Sequence, residues 1–97
     1  MRKLCLSAAV VLILLACRRQ SILRLTTEQT QHGWAYRITK KGEPLIYQEN
    51  IPAIPGFHPF RSREDAQRTG QLVLSKLENR KWPSLSIREV DSLQLTR

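Results

Sequence analysis

Cysteine, histidine, serine and carboxylate are the residue types in this chain that could carry chemistry. Its two histidines are His32 and His58, and its two cysteines are Cys5 and Cys17. His58, Ser62 and Asp65 lie close together in sequence, and a hydrolytic triad needs those three types brought into contact. Ser62 and Asp65, however, open a helical pattern. There a hydroxyl caps backbone N–H groups and a carboxylate offsets the helix dipole. Glu64 falls under the same reading. A zinc site needs three or four ligands at organised spacing, and no Cys/His set here has it. There is no phosphate-binding glycine loop, no GxGxxG, no CxxC and no HExxH. The inventory argues against an enzyme and against a cofactor or metal, and leaves a binding or structural module as the expectation.

Cys17 has the most specific surroundings. Met1-Arg2-Lys3 is basic, and Leu4 to Ala16 is uncharged and almost wholly apolar. As a helix this run spans about 20 Å, short of the roughly 30 Å of a bilayer's hydrocarbon core. A short apolar run after a basic start reads as an export signal rather than a membrane-spanning helix. The run ends Leu14-Leu15-Ala16-Cys17. This resembles the lipobox of bacterial lipoproteins, an aliphatic residue three before a cysteine and a small residue just before it. The resemblance implies a diacylglycerol on the Cys17 sulfur and cleavage between Ala16 and Cys17. On that reading residues 1–16 are a signal peptide, 17–21 a lipid-anchored tether and 22–97 one small domain. Cys5 leaves with the signal and Cys17 carries lipid, so no disulfide staples the fold.

Charge points the same way. The chain has 16 Lys+Arg against 8 Asp+Glu, a net of +8, and loses two of those cations, Arg2 and Lys3, with the signal. The remaining bases are scattered and no run exceeds two, so a nucleic-acid footprint is not expected. Arg18 and Arg19 sit beside the expected anchor and are candidates for contact with an anionic membrane surface. Arg18 is not the Asp that retains enteric lipoproteins in the inner membrane. No acidic residue appears before Glu28, so the acidic surface-export signal of Bacteroidota-type lipoproteins is missing too. By analogy, the expected location is the outer membrane, facing the periplasm.

The domain reads as α+β. Ile22 to Thr27 is β-branched-rich and suggests an edge strand. Gln29 to Gly33 reads as a turn. In Trp34 to Thr39 the residues Trp34, Tyr36 and Ile38 alternate with Ala35, Arg37 and Thr39, the period of a half-buried strand. Lys40-Lys41-Gly42-Glu43 has hairpin length, and Pro44 can open a third strand through Gln48. A three-stranded antiparallel meander results. Residues 51–60 carry three prolines, which hold the backbone extended and deny it regular hydrogen bonding, yet also Ile51, Ile54, Phe57 and Phe60. Those side chains call for packing. Phe60 is expected in the core and Phe57-His58 at an exposed, candidate binding tip. The main helix should start at the Ser62 cap and run to about Asn79, with Ala66, Gly70, Val73, Leu74 and Leu77 on one face. Ser86-Ile87-Arg88-Glu89 is a capping box opening a short helix with Ile87, Val90 and Leu93 inward.

The stretch from Gly33 to Leu93 is similar to a small family of uncharacterised Bacteroidota-type lipoproteins, a domain of unknown function. The residues that carry the likeness are Gly33-Trp34-Ala35-Tyr36-Arg37-Ile38, Ile46-Tyr47-Gln48, Ile51-Pro52-Ala53-Ile54, Phe60 to Ala66, and Lys76-Leu77. The family also begins with a lipobox. It brings no activity, cofactor or catalytic residue to transfer.

The expected function is a lipid-anchored envelope protein that works as a non-enzymatic interaction or structural module. Its partners are the membrane, through the anchor, and an envelope protein. The alternative is a small enzyme or a polyanion-binding protein using residues 51–60. Intact mass of the chain extracted from bacterial membranes should show a diacylglyceryl adduct on Cys17, and Cys17→Ser should leave a soluble or uncleaved product. An unmodified mature N-terminus at another residue overturns the assignment.

Overall fold

The computed structural model describes residues 22–96. The expected signal peptide and tether, with Cys17, Arg18 and Arg19, lie outside the described residues. The elements follow in the order β1 (Leu23–Gln29), β2 (Trp34–Lys40), β3 (Glu43–Gln48), α1 (Arg63–Glu78) and α2 (Ile87–Ser92). The strands form one antiparallel sheet in the order β1-β2-β3, as the α+β reading expects.

Period-2 patterning sets the register. Leu25 pairs with Ile38 and Thr27 with Tyr36, so apolar residues of β1 and β2 share the inner face. Ile46 of β3 pairs with Ile38 and extends that face. Ala35 departs from the expectation: it lies on the outer face and is nevertheless fully buried. It stands opposite Glu28 in the central strand, and the Arg37 guanidinium reaches over to that carboxylate at 2.9 Å. Two long side chains thus flank a methyl group. The β2–β3 turn is a two-residue loop, with Lys41 at φ 53° and Gly42 at φ 84°. Left-handed residues at both positions match the twist of the flanking strands. β3 starts at Glu43, one residue earlier than Pro44. As an edge strand it tolerates a residue without an N–H. The register shifts after Ile38, and Leu45 is the extra residue of the resulting bulge.

The main helix begins where the sequence places it, with the Ser62 hydroxyl accepting from the Asp65 N–H at 3.1 Å. It ends at Glu78, and Asn79 is its C-cap. α1 lies across β1 and β2. Gly70 makes that approach possible: a Cβ there would sit 2.6 Å from Leu25 Cδ1 and 3.0 Å from Tyr36 Cγ. The core comprises Tyr36, Ile38, Ile51, Phe60, Ala66, Val73 and Val90. Burial pushes the Tyr36 phenol up to about 12, so it remains a neutral donor at ordinary pH.

Two further buried residues of α1 are polar. Thr69 is fully buried and donates its hydroxyl hydrogen to the Asp65 carbonyl at 2.8 Å. Asp65 is 2% exposed; its carboxylate accepts from Arg68 at 2.7 Å and from the Thr96 N–H at 3.0 Å. It therefore does more than complement the helix dipole, because it ties the end of the described chain to the start of α1.

The capping box of α2 is present, with Glu89 N donating to Ser86 Oγ at 3.2 Å and Ser86 N to Glu89 Oε1 at 3.0 Å. Its packing differs from expectation. Val90 is buried and Leu93 half-buried, but Ile87 is 57% exposed. The inward place before the helix is taken by Leu85, which packs against the core. Lys76 fixes this arrangement by reaching Glu89 Oε2 at 2.6 Å and the Ser84 carbonyl at 2.7 Å.

Gly70→Ala should destabilise the protein. The gain in helix propensity is about 1 kcal/mol, while forcing a methyl into a filled contact costs about 1–3 kcal/mol. Denaturant melts read the balance, and a stabilised variant would contradict the close approach. The second expectation concerns acid. The Lys76 ammonium, then the Ser86 N–H, hold the Glu89 carboxyl below its ordinary value of 4.5. The folded state thus favours the ionised form, so the stabilisation is complete above that ordinary value and is lost as pH falls through the lower folded one. Urea midpoints measured from neutral to acid pH should fall less for Glu89→Gln than for the wild type.

Candidate functional site

Residues 51–60 are more ordered than three prolines suggested. Prolines 52, 55 and 59 fix φ, while Ala53 at φ 66° and Gly56 at φ 90° reverse the chain. Hydrogen bonding then closes both ends. The Ile51 N–H donates to the His58 carbonyl at 2.8 Å, beside a bridge between Asn50 and Pro59. The Trp34 N–H donates to the Phe60 carbonyl at 2.8 Å, in a second bridge. The loop is thus stitched onto the start of β2, which corrects the expectation that regular hydrogen bonding is denied it. Gln48 Nε2 braces its entry by donating to the Asn50 carbonyl at 2.7 Å.

The loop divides its apolar side chains. Ile51 and Phe60 are buried, and Ile54 packs partly against the core. The Phe60 ring lies 5.9 Å from that of Tyr36. Phe57 is 57% exposed, and His58 beside it is exposed. The structure also brings in His32, a residue of the β1–β2 turn. The His32 ring meets Phe57 edge-on, with centroids 5.2 Å apart and planes at 88°. His32 sits at the tip of the β1–β2 turn, where the Thr30 hydroxyl accepts from the N–H groups of His32 and Gly33. No signal in the sequence links positions 32 and 57. Their contact follows from the Trp34–Phe60 pairing, which lays the loop beside that turn.

The other candidates fall elsewhere. Ser62 and Asp65 meet through the helix cap, and the Asp65 carboxylate is engaged by Arg68 and Thr96, while His58 is placed at the loop tip. Among the described residues, no group of three or more His, Cys, Asp or Glu is placed to hold a metal ion. Trp34 is half-buried under the Arg63 guanidinium, 5.4 Å from its ring. Tyr47 and Trp82 are exposed. Tyr47 lies under Arg37 on the outer face, 4.9 Å from the guanidinium.

A shallow cavity of about 270 Å³ lies behind the loop, lined by Tyr36, Gln48, Ala53, Val73 and Leu85 among others. It is small for a ligand pocket, which typically holds about 300–1,000 Å³. What the arrangement offers chemically is an exposed aromatic ring met edge-on by the His32 imidazole, with exposed His58 next to it in the chain, held on a braced loop. That is a surface for contact and hydrogen bonding.

No curated protein and no solved structure matches the chain. Residues 26–92 match a family described as a domain of unknown function, DUF4907. That span runs from β1 through α2 and includes the loop and its supports. The chain therefore belongs to the DUF4907 family.

Proposed function

We propose that this protein is a lipid-anchored envelope module that acts by binding, with the tip of residues 51–60 as its recognition surface. One observation carries the reading: within ten residues, Phe60 is fully buried while Phe57 is 57% exposed on a backbone closed at both ends. A fixed loop loses little freedom on binding, and exposed aromatic anchors contribute strongly to interfaces. His32 adds a polar edge against the ring, and His58 is an exposed neighbour in the chain. The partner is an envelope protein, met at the membrane to which the Cys17 lipid holds the chain. Its expected location is the periplasmic side of the outer membrane, on the lipobox and on the absence of an acidic residue before Glu28. Residues 51–60 contain no Lys or Arg, so this tip has no charge of its own for a polyanion.

Crosslinking in intact envelopes, followed by recovery of the chain, tests the proposal. Phe57→Ala and His58→Ala should abolish partner recovery while leaving stability within about 0.5 kcal/mol of wild type, as ordinary surface changes do. Phe60→Ala should cost about 3–5 kcal/mol, as buried aromatics do. Equal and large destabilisation by Phe57→Ala and Phe60→Ala, or undiminished recovery from the tip variants, would falsify the recognition surface.

A further inference from the structure

The end of the domain opposite the loop has a different character. β2 runs from Trp34, which pairs with Phe60, to Lys40, which precedes the β2–β3 turn. α1 also runs from the loop end to this end, where Leu77, Glu78 and Arg80 meet Leu23, Lys40 and Leu45 around a groove of about 280 Å³. Ile22 is 54% exposed and Leu45 48% exposed, and both line the groove. The bulge in β3 accounts for Leu45, which it displaces from the regular pairing. A second depression continues from Ile22 to Arg24, Thr39, Lys41 and Gly42. Exposed apolar side chains here are ringed by Arg24, Lys40, Lys41 and Arg80, with the Glu78 carboxylate among them and Glu43 paired opposite Lys40.

The described chain begins inside this patch. Ile22 is fixed there, because its carbonyl accepts from the Lys41 N–H at 2.9 Å. Cys17 lies five residues before Ile22, and five residues reach at most about 18 Å when extended. Arg18 and Arg19 fall within that reach. A lipid on Cys17 therefore holds this end of the domain, rather than the loop end, close to the headgroups.

We propose that the patch formed by Ile22, Arg24, Lys40, Lys41, Leu45 and Arg80 is a membrane-docking face, lying on the anionic headgroups of the bilayer that holds the anchor. The inference rests on the proposed Cys17 anchor. Its grounds are the position of Ile22, five residues after Cys17, the basic rim and the apolar side chains within it. Cations at a membrane surface are attracted by anionic lipid, and apolar side chains between them enter the headgroup boundary. Docking this way sets the long axes of β2 and α1 away from the bilayer and presents Phe57 at the far end.

The test uses the full chain, extracted with its lipid and reconstituted into vesicles of phosphatidylcholine, with or without phosphatidylglycerol. A fluorophore is placed at Glu43→Cys beside the β2–β3 turn, or at His58→Cys in the loop, and quenched by headgroup-labelled nitroxide lipid. With phosphatidylglycerol present, quenching at position 43 should be several times that at position 58. It should drop in molar salt, where the screening length shrinks to about 3 Å. The variant Lys40→Glu/Lys41→Glu/Arg80→Glu should lose it at low salt, and salt alone serves as the second perturbation should that variant fold poorly. Equal quenching at the two positions, or none at position 43, overturns the docking face. So does crosslinking of position 43 to a second copy without quenching. Intact mass of the same sample separates the causes. An acylated chain without preferential quenching sinks only the docking face, whereas a chain lacking the adduct removes the anchor and the face together.

Discussion

The hydrogen bond from the Trp34 N–H to the Phe60 carbonyl governs the assembly of this fold. It joins the first residue of the central strand to the last residue of the proline-rich loop. Two residues later Ser62 caps α1, so the same contact sets where the helix starts and how it crosses the sheet. The junction is too tight for any side chain at the preceding position, since a Cβ on Gly33 would sit 2.3 Å from the Phe60 oxygen. The backbones can approach because residue 33 is glycine. Phe60 is then driven fully into the core beside Tyr36, and the segment before it is left to project.

Local rules made much of this legible. The Ser62 cap, the Ser86–Glu89 box and the alternation through β2 each depend on residues within a few positions of one another. The division between Phe60 and Phe57 could also be read, because one stands two residues before a helix cap and the other follows Pro55-Gly56. What stayed hidden depends on residues distant in the chain. Asp65 binding the Thr96 N–H spans 31 positions. The edge-on contact of His32 with Phe57 depends on how the loop folds back. Spacing alone turns Ile87 inward, but Leu85 reaches the core first and a six-residue helix has room for little else beside Val90. Ala35 shows the limit of alternation, since a small residue on the outer face can be covered by its longer neighbours.

The architecture also separates its two apolar surfaces. The loop tip and the groove beside Ile22 lie at opposite ends of β2 and α1, with the packed face of the sheet between them. A helix of 16 residues is about 24 Å long, so the two ends are far apart on the scale of the domain. Basic residues ring the groove, while the loop carries one imidazole, that of His58, and no Lys or Arg. Two surfaces so different in charge suit different neighbours.

The consecutive strand order has a kinetic consequence. Each strand pairs with the one next to it in sequence, so both pairings close through turns of a few residues and neither waits for the helices. Short loops cost little entropy to close, and such hairpins form within about 1–10 μs. The meander can therefore assemble first and serve as the template on which α1 settles. α2 joins through Val90, which is buried in the core, and through the Lys76–Glu89 pair, which requires α1 to be in place. On that order assembly would proceed outward from β2, with the Trp34–Phe60 contact closing afterwards, and unfolding that retraces it would release α2 while the sheet still stands.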